Sequence, residues 1–323
     1  MIRPPRFWDA DGAAARLLAP LSSLVAAATA RRMARPGWRA PVPVLCIGNA
    51  TVGGAGKTTV ALDLARRLAE AGRSPHIILR GYGGTVRGVH RVAPSDPAAL
   101  VGDEALLLAA AAPTWVGADR AASARAAVAA GAGVLVMDDG LQNPGLVKDF
   151  SLLVIDGGAG FGNGRVLPAG PLRESVAAAA ARCAAAVLIG ADRTGALARL
   201  PPGLPVLRAA LVAGEGAEAL RGARVLAFAG IARPEKFFAT LDELGAELVE
   251  RRAFPDHAAF PTAVLDRLLD RAARLGAIPL TTAKDAVRLD PVRRARVRVL
   301  EVGLAWEDPA ALERLLFGPA LVG

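Results

Sequence analysis

Asn49 to Val60 reads NATVGGAGKTTV, and no other stretch limits the possible folds of this chain as tightly. Glycines at 53, 54 and 56 let backbone N–H groups converge on one point, and a helix begun at Lys57 adds the positive end of its dipole. Such a loop works only where a strand runs into it and a helix leaves it, which commits the chain to an α/β architecture. It matches neither common spacing. In G-x-x-x-x-G-K-[ST] the first glycine would fall at Thr51, and the K-G-G-x-G-K-T-T form lacks its leading lysine because Val52 stands there. The chemistry survives both departures. Thr51, Val52, Gly53, Gly54, Ala55, Gly56, Lys57, Thr58 and Thr59 form a phosphate cradle, in which Lys57 reaches β- and γ-phosphates and the Thr58 hydroxyl ligates Mg²⁺.

Apolar runs alternate with helical patterns on either side of the loop, as expected of a P-loop NTPase-like parallel sheet with crossover helices. VPVLCIG (42–48), HIILR (76–80), PTWVG (113–117), GVLVMDDG (133–140) and SLLVIDGG (151–158) read as strands, and the last two each end in aspartate. Past residue 183 the pattern starts again with AVLIG, PVLRAAL, RVLAFAG, ELVERRAF and IPLTTAKD, with helices such as PEKFFATLDELG between them. Three units are therefore expected: a helical segment over 1–40, a phosphate-loop domain over 41–183 and a smaller α/β domain over 184–323. The extreme C-terminus is expected to pack back on the first domain.

The first forty residues set Leu17, Leu18, Leu21, Leu24 and Val25 on one helical face, followed by Arg31, Arg32, Arg35 and Arg39. Arg16 and Pro20 interrupt the stretch and make it a poor transmembrane span, and no signal-peptidase site closes it. An apolar face flanked by arginines suits a helix lying in a bilayer interface. A helix packed on the domain is the competing reading. The formal charge of +9 would raise nucleic acid as a partner, but lysine occurs only at 57, 148, 236 and 284, and the arginine excess accompanies an alanine excess typical of compositional bias. With aromatic residues at 4% and no arginine–aromatic ladder, no nucleic acid is expected. Cys46 and Cys183 are too few for a disulfide framework or a metal site and read as thiols of a reducing compartment.

A phosphate loop needs an acid at a neighbouring strand end. Asp138, Asp139 and Asp156 all qualify, and local pattern does not choose among them. Tyr82, the only tyrosine, sits among glycines in RGYGG at a strand's carboxyl end, where a ligand can approach closely. Asp103 and Glu104 open a helix, a placement that dipole stabilisation alone would explain.

Taken together, VLCIGNATVGGAGKTT, LRGYGG, VGDEALLLA, VLVMDDGLQN, GFGNGRVLPAGPLRE, FAGIARPEKFF, FPDHAAF and TTAKDAVRL resemble the tetraacyldisaccharide 4'-kinase family of lipid A assembly, in collinear order over nearly the whole chain. The resemblance implies transfer of the γ-phosphate of ATP to the 4'-hydroxyl of tetraacyldisaccharide 1-phosphate, giving lipid IVA. It also implies Mg²⁺, two α/β domains and peripheral attachment to the cytoplasmic face of the bacterial inner membrane; a monomer is expected, though the residues do not spell out the oligomeric state. Carried over residue by residue, Asp103 is the expected general base and His257 its partner, with Lys57 and Thr58 on phosphate and metal. The family's acidic strand end falls on Asp138 and Asp139, in preference to Asp156, and Glu104 joins them near the metal. Arg80, Tyr82, Arg120, Gln142, Arg173 and Glu174 match positions around the substrate phosphate and sugar. The family's usual histidine after the glutamine is replaced by Asn143. The rival class is a P-loop ATPase of the partitioning or protein-targeting kind, which Val52 and GNGRVLPAGPLRE disfavour. A GTPase is disfavoured by the lack of an N-K-x-D motif, since TAKD at 282–285 has no asparagine.

Overall fold

A computed structural model describes residues 5–256 and 260–318. Within them thirteen strands form two sheets. They are β1 (Val44–Gly48), β2 (Pro75–Leu79), β3 (His90–Arg91), β4 (Thr114–Val116), β5 (Val134–Asp138), β6 (Phe150–Asp156), β7 (Ala185–Ile189), β8 (Val206–Ala213), β9 (Arg224–Ala229), β10 (Glu247–Ala253), β11 (Ile278–Thr282), β12 (Arg298–Leu300) and β13 (Val302–Trp306). The large sheet runs β13-β8-β7-β6-β1-β5-β2-β4-β3, parallel except at its two outermost pairs. β1, β2, β5 and β7 are buried at every residue. Unbroken apolar runs such as VLCIG are what a parallel strand covered on both faces demands. One face packs on α2 (Lys57–Glu70) through Leu64 and Leu68, and the other packs on Leu141, Phe161 and the alanine-rich helix Arg120–Ala129.

Register places the chemistry. Ile47 pairs with both Asp138 and Leu152, so the chain leaves β1, β5 and β6 at one edge of the sheet. The crevice beyond strand carboxyl ends is where open α/β sheets bind ligands.

The small sheet, β10-β9-β11-β12, is wholly parallel. Helix Pro234–Glu243 covers one face through Phe237, Phe238 and Leu241, and helix Thr262–Arg274 covers the other through Leu265, Leu268 and Leu269. The sequence boundary at 183/184 does not coincide with the boundary between sheets. β7 and β8 bond into the large sheet, and the small sheet begins only at β9. Nothing local distinguishes AAVLI as a seventh strand from AAVLI as a first one, because the deciding hydrogen bonds run to β6. β13 returns to pair with β8, the helix Pro309–Leu316 adds Leu312 and Leu316 to the large-sheet core, and Trp306 Nε1 donates to Asp63 on α2 at 2.9 Å.

The N-terminal helix α1 (Ala13–Met33) runs unbroken through Pro20, contrary to the interruption read from sequence. Proline lacks the N–H that would bond to the Arg16 carbonyl, but the turns on either side carry the helix through that gap. The helix has the length and composition to cross a bilayer. Its packing is inverted relative to a core helix. Ala15, Ser22 and Thr29 are buried, whereas Leu17 is 82% and Leu24 68% exposed. Ser22 Oγ donates to the Val166 carbonyl at 2.7 Å and accepts from Ala169 N at 3.2 Å, and Trp8 Nε1 donates to the Pro168 carbonyl at 3.0 Å. Polar and small residues thus fasten α1 to the domain while Leu17, Leu21 and Leu24 face outward.

Candidate active site

Gly56 has φ +86°, and a Cβ there would stand 2.5 Å from Ile189 Cδ1, so only glycine can close the turn into α2. The loop's near end is already tied down. Thr51 bridges to Leu172, and Val52 N donates to the Pro171 carbonyl at 2.8 Å. The Val52 N–H is thus engaged by the GPLRE segment. Beside Gly53 and Gly54 an added Cβ would meet nothing within 4 Å, so space is open there.

Lys57 is buried at the head of α2, where its Nζ donates to Asn49 Oδ1 at 3.1 Å and lies 3.7 Å from Asp139 Oδ1. Thr58 Oγ1 donates to Asp138 Oδ2 at 3.1 Å. The other Asp138 oxygen, Oδ1, is buried with no hydrogen-bond partner among the described residues. Burial, reinforced by the charge of Glu104, pushes the Asp138 carboxyl up to about 7 although Lys57 opposes the shift. Its neighbour behaves oppositely. Burial works against ionisation of Asp139 too, but the charges of Lys57 and Arg173 outweigh it and hold this carboxyl below its usual range. Arg173 grips Asp139 with both nitrogens, at 2.7 and 3.0 Å.

Gln142 and Glu174 lie beneath this pair. Gln142 Nε2 donates to the Asn49 carbonyl at 2.9 Å and to Glu174 Oε1 at 2.7 Å, while its Oε1 accepts from Arg173 at 3.3 Å. Glu174 is buried and clasped by Arg182 at 2.6 and 2.7 Å. These contacts make Gln142 and Glu174 a scaffold that orients Arg173 and the loop. Asn49 and Arg182 complete it, and the sequence reading singles out neither. The only signal for Asn49 is its place between strand and loop.

Gly102 has φ +89°, and a Cβ on it would stand 2.6 Å from the Tyr82 carbonyl. That close approach sets the RGYGG turn against the start of helix Asp103–Ala109 and so brings Tyr82 and Asp103 together. Tyr82 and Arg80 are exposed, whereas Asp103 is buried. Arg120 is buried and donates to the Gly117 carbonyl. Its burial, with Arg80 nearby, lowers its proton affinity to about 10, still a full cation at neutral pH. The small domain meets this region with cations: Lys284 Nζ lies 3.3 Å from Glu104 Oε1, and Arg288 Nε 3.8 Å from Asp103 Oδ2. TTAKDAVRL, which contributes no named site residue in the sequence reading, supplies both. His257 lies outside the described residues. Asp156 is turned away from the acid pair and engaged by Arg233 and Lys236.

Amides and a lysine for phosphate, with a hydroxyl and a buried carboxylate for a divalent ion, define the P-loop class of nucleoside-triphosphate-handling proteins. Comparison with known proteins narrows this. The family described as Tetraacyldisaccharide-1-P 4'-kinase matches residues 14–318, and the chain belongs to that family. A tetraacyldisaccharide 4'-kinase of Gluconacetobacter diazotrophicus is 63% identical over 97% of this chain and 96% of its own length. One of Rhodospirillum centenum is 56% identical over 100% and 98%. The crystal structure of LpxK from Aquifex aeolicus in complex with ATP superposes with a TM-score of 0.76 at 25% identity, covering 94% of this chain and 98% of that one. The partitioning-ATPase reading is not favoured.

Proposed function

We propose that this protein transfers the γ-phosphate of ATP to the 4'-hydroxyl of tetraacyldisaccharide 1-phosphate, giving lipid IVA. The observation that carries the reading is the joint placement of Lys57, Thr58, Asp138 and Asp139 at one crevice, in a chain that matches the kinase family almost throughout. Lys57 and the amides from Gly53 onward hold the triphosphate. Thr58 and Asp138 fit Mg²⁺, because Asp138 Oδ1 is a buried acceptor that lacks a donor, while Asp139, gripped by Arg173, and Glu104 stand beside them to hold the ion's water shell. Among the described residues no three His, Cys, Asp or Glu side chains cluster as a metal cage. When bound, Mg²⁺ supplies neutralisation of β/γ-phosphate charge.

Asp103 accepts the proton of the attacking hydroxyl, and His257 is carried as its partner on the sequence alone. Arg80, Tyr82 and Arg120 face the acceptor, and guanidinium forks suit its 1-phosphate. Arg173 reaches the same crevice while fixing Asp139. A groove of about 550 Å³ lies between α1 and the 174–182 segment, lined by Ala26, Ala30, Met33, Ala178, Glu174 and Arg182.

A four-chain lipid leaves the bilayer only at great cost, about 0.8 kcal/mol per exposed methylene. The enzyme therefore works at the membrane, peripherally on the cytoplasmic face of the inner membrane, through the outward leucines of α1 and the arginines after them. Replacing Leu17, Leu21 and Leu24 together by serine is expected to reduce co-sedimentation with anionic vesicles at least about tenfold without lowering the melting temperature, since all three are exposed. Unchanged sedimentation would show that α1 serves only the domain. The test of the activity is transfer of radiolabelled γ-phosphate from ATP to the purified disaccharide lipid, with and without Mg²⁺. Label in lipid only when acceptor and Mg²⁺ are both present is the expected result. Steady phosphate release without acceptor would point to an ATPase instead.

A further inference from the structure

Asp156 ends β6, the strand next to β1, yet takes no part in the acid pair. Its Oδ1 accepts from the N–H groups of Gly158 and Ala159 at 2.9 and 3.2 Å, which fixes the carboxylate in its turn. Its Oδ2 is held from across the interdomain crevice, by Arg233 and by Lys236 Nζ at 3.2 Å. Both cations belong to the first turn of helix Pro234–Glu243, Arg233 as its N-cap residue. The Arg233 guanidinium does more than pair with Asp156: Nη2 also lies 3.5 Å from the Gly54 carbonyl, in the middle of the phosphate loop.

A cation of the small domain therefore stands at the rim of the cradle, on the side where Gly53 and Gly54 leave open space. Two cations share one carboxylate here, leaving a surplus positive charge at that rim, and both remain partly exposed. The cations stand partly in water while the carboxylate is largely buried, so the guanidinium keeps open edges beyond its pair with Asp156. A guanidinium also presents a planar fork, which matches phosphate oxygens bidentately where a lysine offers a point charge. We propose that Arg233 is a polyphosphate-binding residue that the small domain contributes to a nucleotide lying in the phosphate loop, with Asp156 positioning its guanidinium and Lys236 adding to the local field. The inference rests on the kinase reading and deepens it, since it makes the nucleotide site a property of both domains.

Equilibrium titration of the full chain with the Mg²⁺ complexes of ATP and ADP, and with AMP, in the absence of lipid acceptor, tests this assignment. Arg233→Ala is expected to weaken ATP and ADP about tenfold, the loss of one charged hydrogen-bonding contact, and AMP by less than about twofold. Arg233→Lys should recover part of the ATP affinity. An equal loss for all three nucleotides would mark Arg233 as a brace between domains and overturn the proposal, as would no loss at all. A melting temperature for Arg233→Lys close to wild type guards the comparison should the alanine variant fold poorly. Failure of the wild-type protein to bind ATP would sink the kinase reading itself, whereas wild-type binding left intact by Arg233→Ala would sink only this assignment.

Discussion

Asp103→Asn is expected to lower kcat by about two to four decades, the range for a lost general base, while the Kd for ATP stays within about twofold of wild type. Asparagine keeps the side-chain volume at a buried position and can still accept from Glu104 N, which donates to Asp103 Oδ1 at 3.0 Å. What it cannot do is take a proton. On the proposed reading the nucleotide is held elsewhere, by the loop and Lys57, so binding and chemistry should separate cleanly in this variant. Asp103 also stands where both domains and the RGYGG turn converge, with Arg288 at 3.8 Å from its Oδ2 and Gly102 packed on Tyr82. A hydroxyl presented beside Tyr82 would therefore meet this carboxylate at the mouth of the crevice. Single-turnover transfer from ATP to acceptor lipid is the measurement of choice, because it is blind to slow product release. A rate constant near wild type would move the base to another residue. A matching loss of ATP affinity would recast Asp103 as a structural support of the crevice.

Sequence alone displays what short-range pattern encodes. NATVGGAGKTTV carries its own strand, turn and helix, because glycine freedom and helix polarity act within a dozen residues. The parallel sheet is legible for the same reason, since a strand buried on both faces spells itself as an apolar run. Three things depend on partners far away in the chain. Asp138, Asp139 and Asp156 lie at strand ends, and what engages Asp156 with the small domain is Arg233 and Lys236, 77 and 80 residues further on. The sheet boundary lies at β9 because β7 finds β6. Asn49 looks like an ordinary linker between strand and loop until Lys57 and Gln142 close on it from residues 8 and 93 positions away. Long-range pairing of this kind leaves no mark on local composition.

At Asp138 function and stability are expected to pull in opposite directions. Asp138→Asn should cost about two to three decades in kcat/KM, as loss of a metal-holding group at a developing charge does, and yet melt above wild type at about pH 8. The sign follows from the direction of the shift. Burial, then the charge of Glu104, raises the folded carboxyl from 3.8 to about 7. The folded state thus keeps a proton that the unfolded state has released throughout the interval between those values. Stability must therefore rise as pH falls through that window, and above it the full cost of a buried carboxylate is present. Asparagine carries no such cost and still offers an acceptor to Thr58. The difference in melting temperature should accordingly be largest at about pH 8 and close towards about pH 4. On the proposed reading the same proton governs the metal, since the carboxylate must be bare to take a divalent cation. The Mg²⁺ concentration for half-maximal transfer by the wild-type protein should climb towards about tenfold per pH unit below about 7, a slope that Asp138→Asn should flatten in whatever activity it retains. Differential scanning calorimetry across the pH range decides the stability half of the claim. If the asparagine variant melted below wild type at about pH 8, the hydrogen bond from Thr58 and the charge of Lys57 would outweigh the burial of Asp138, and the carboxylate would be a stabilising element of the apo fold.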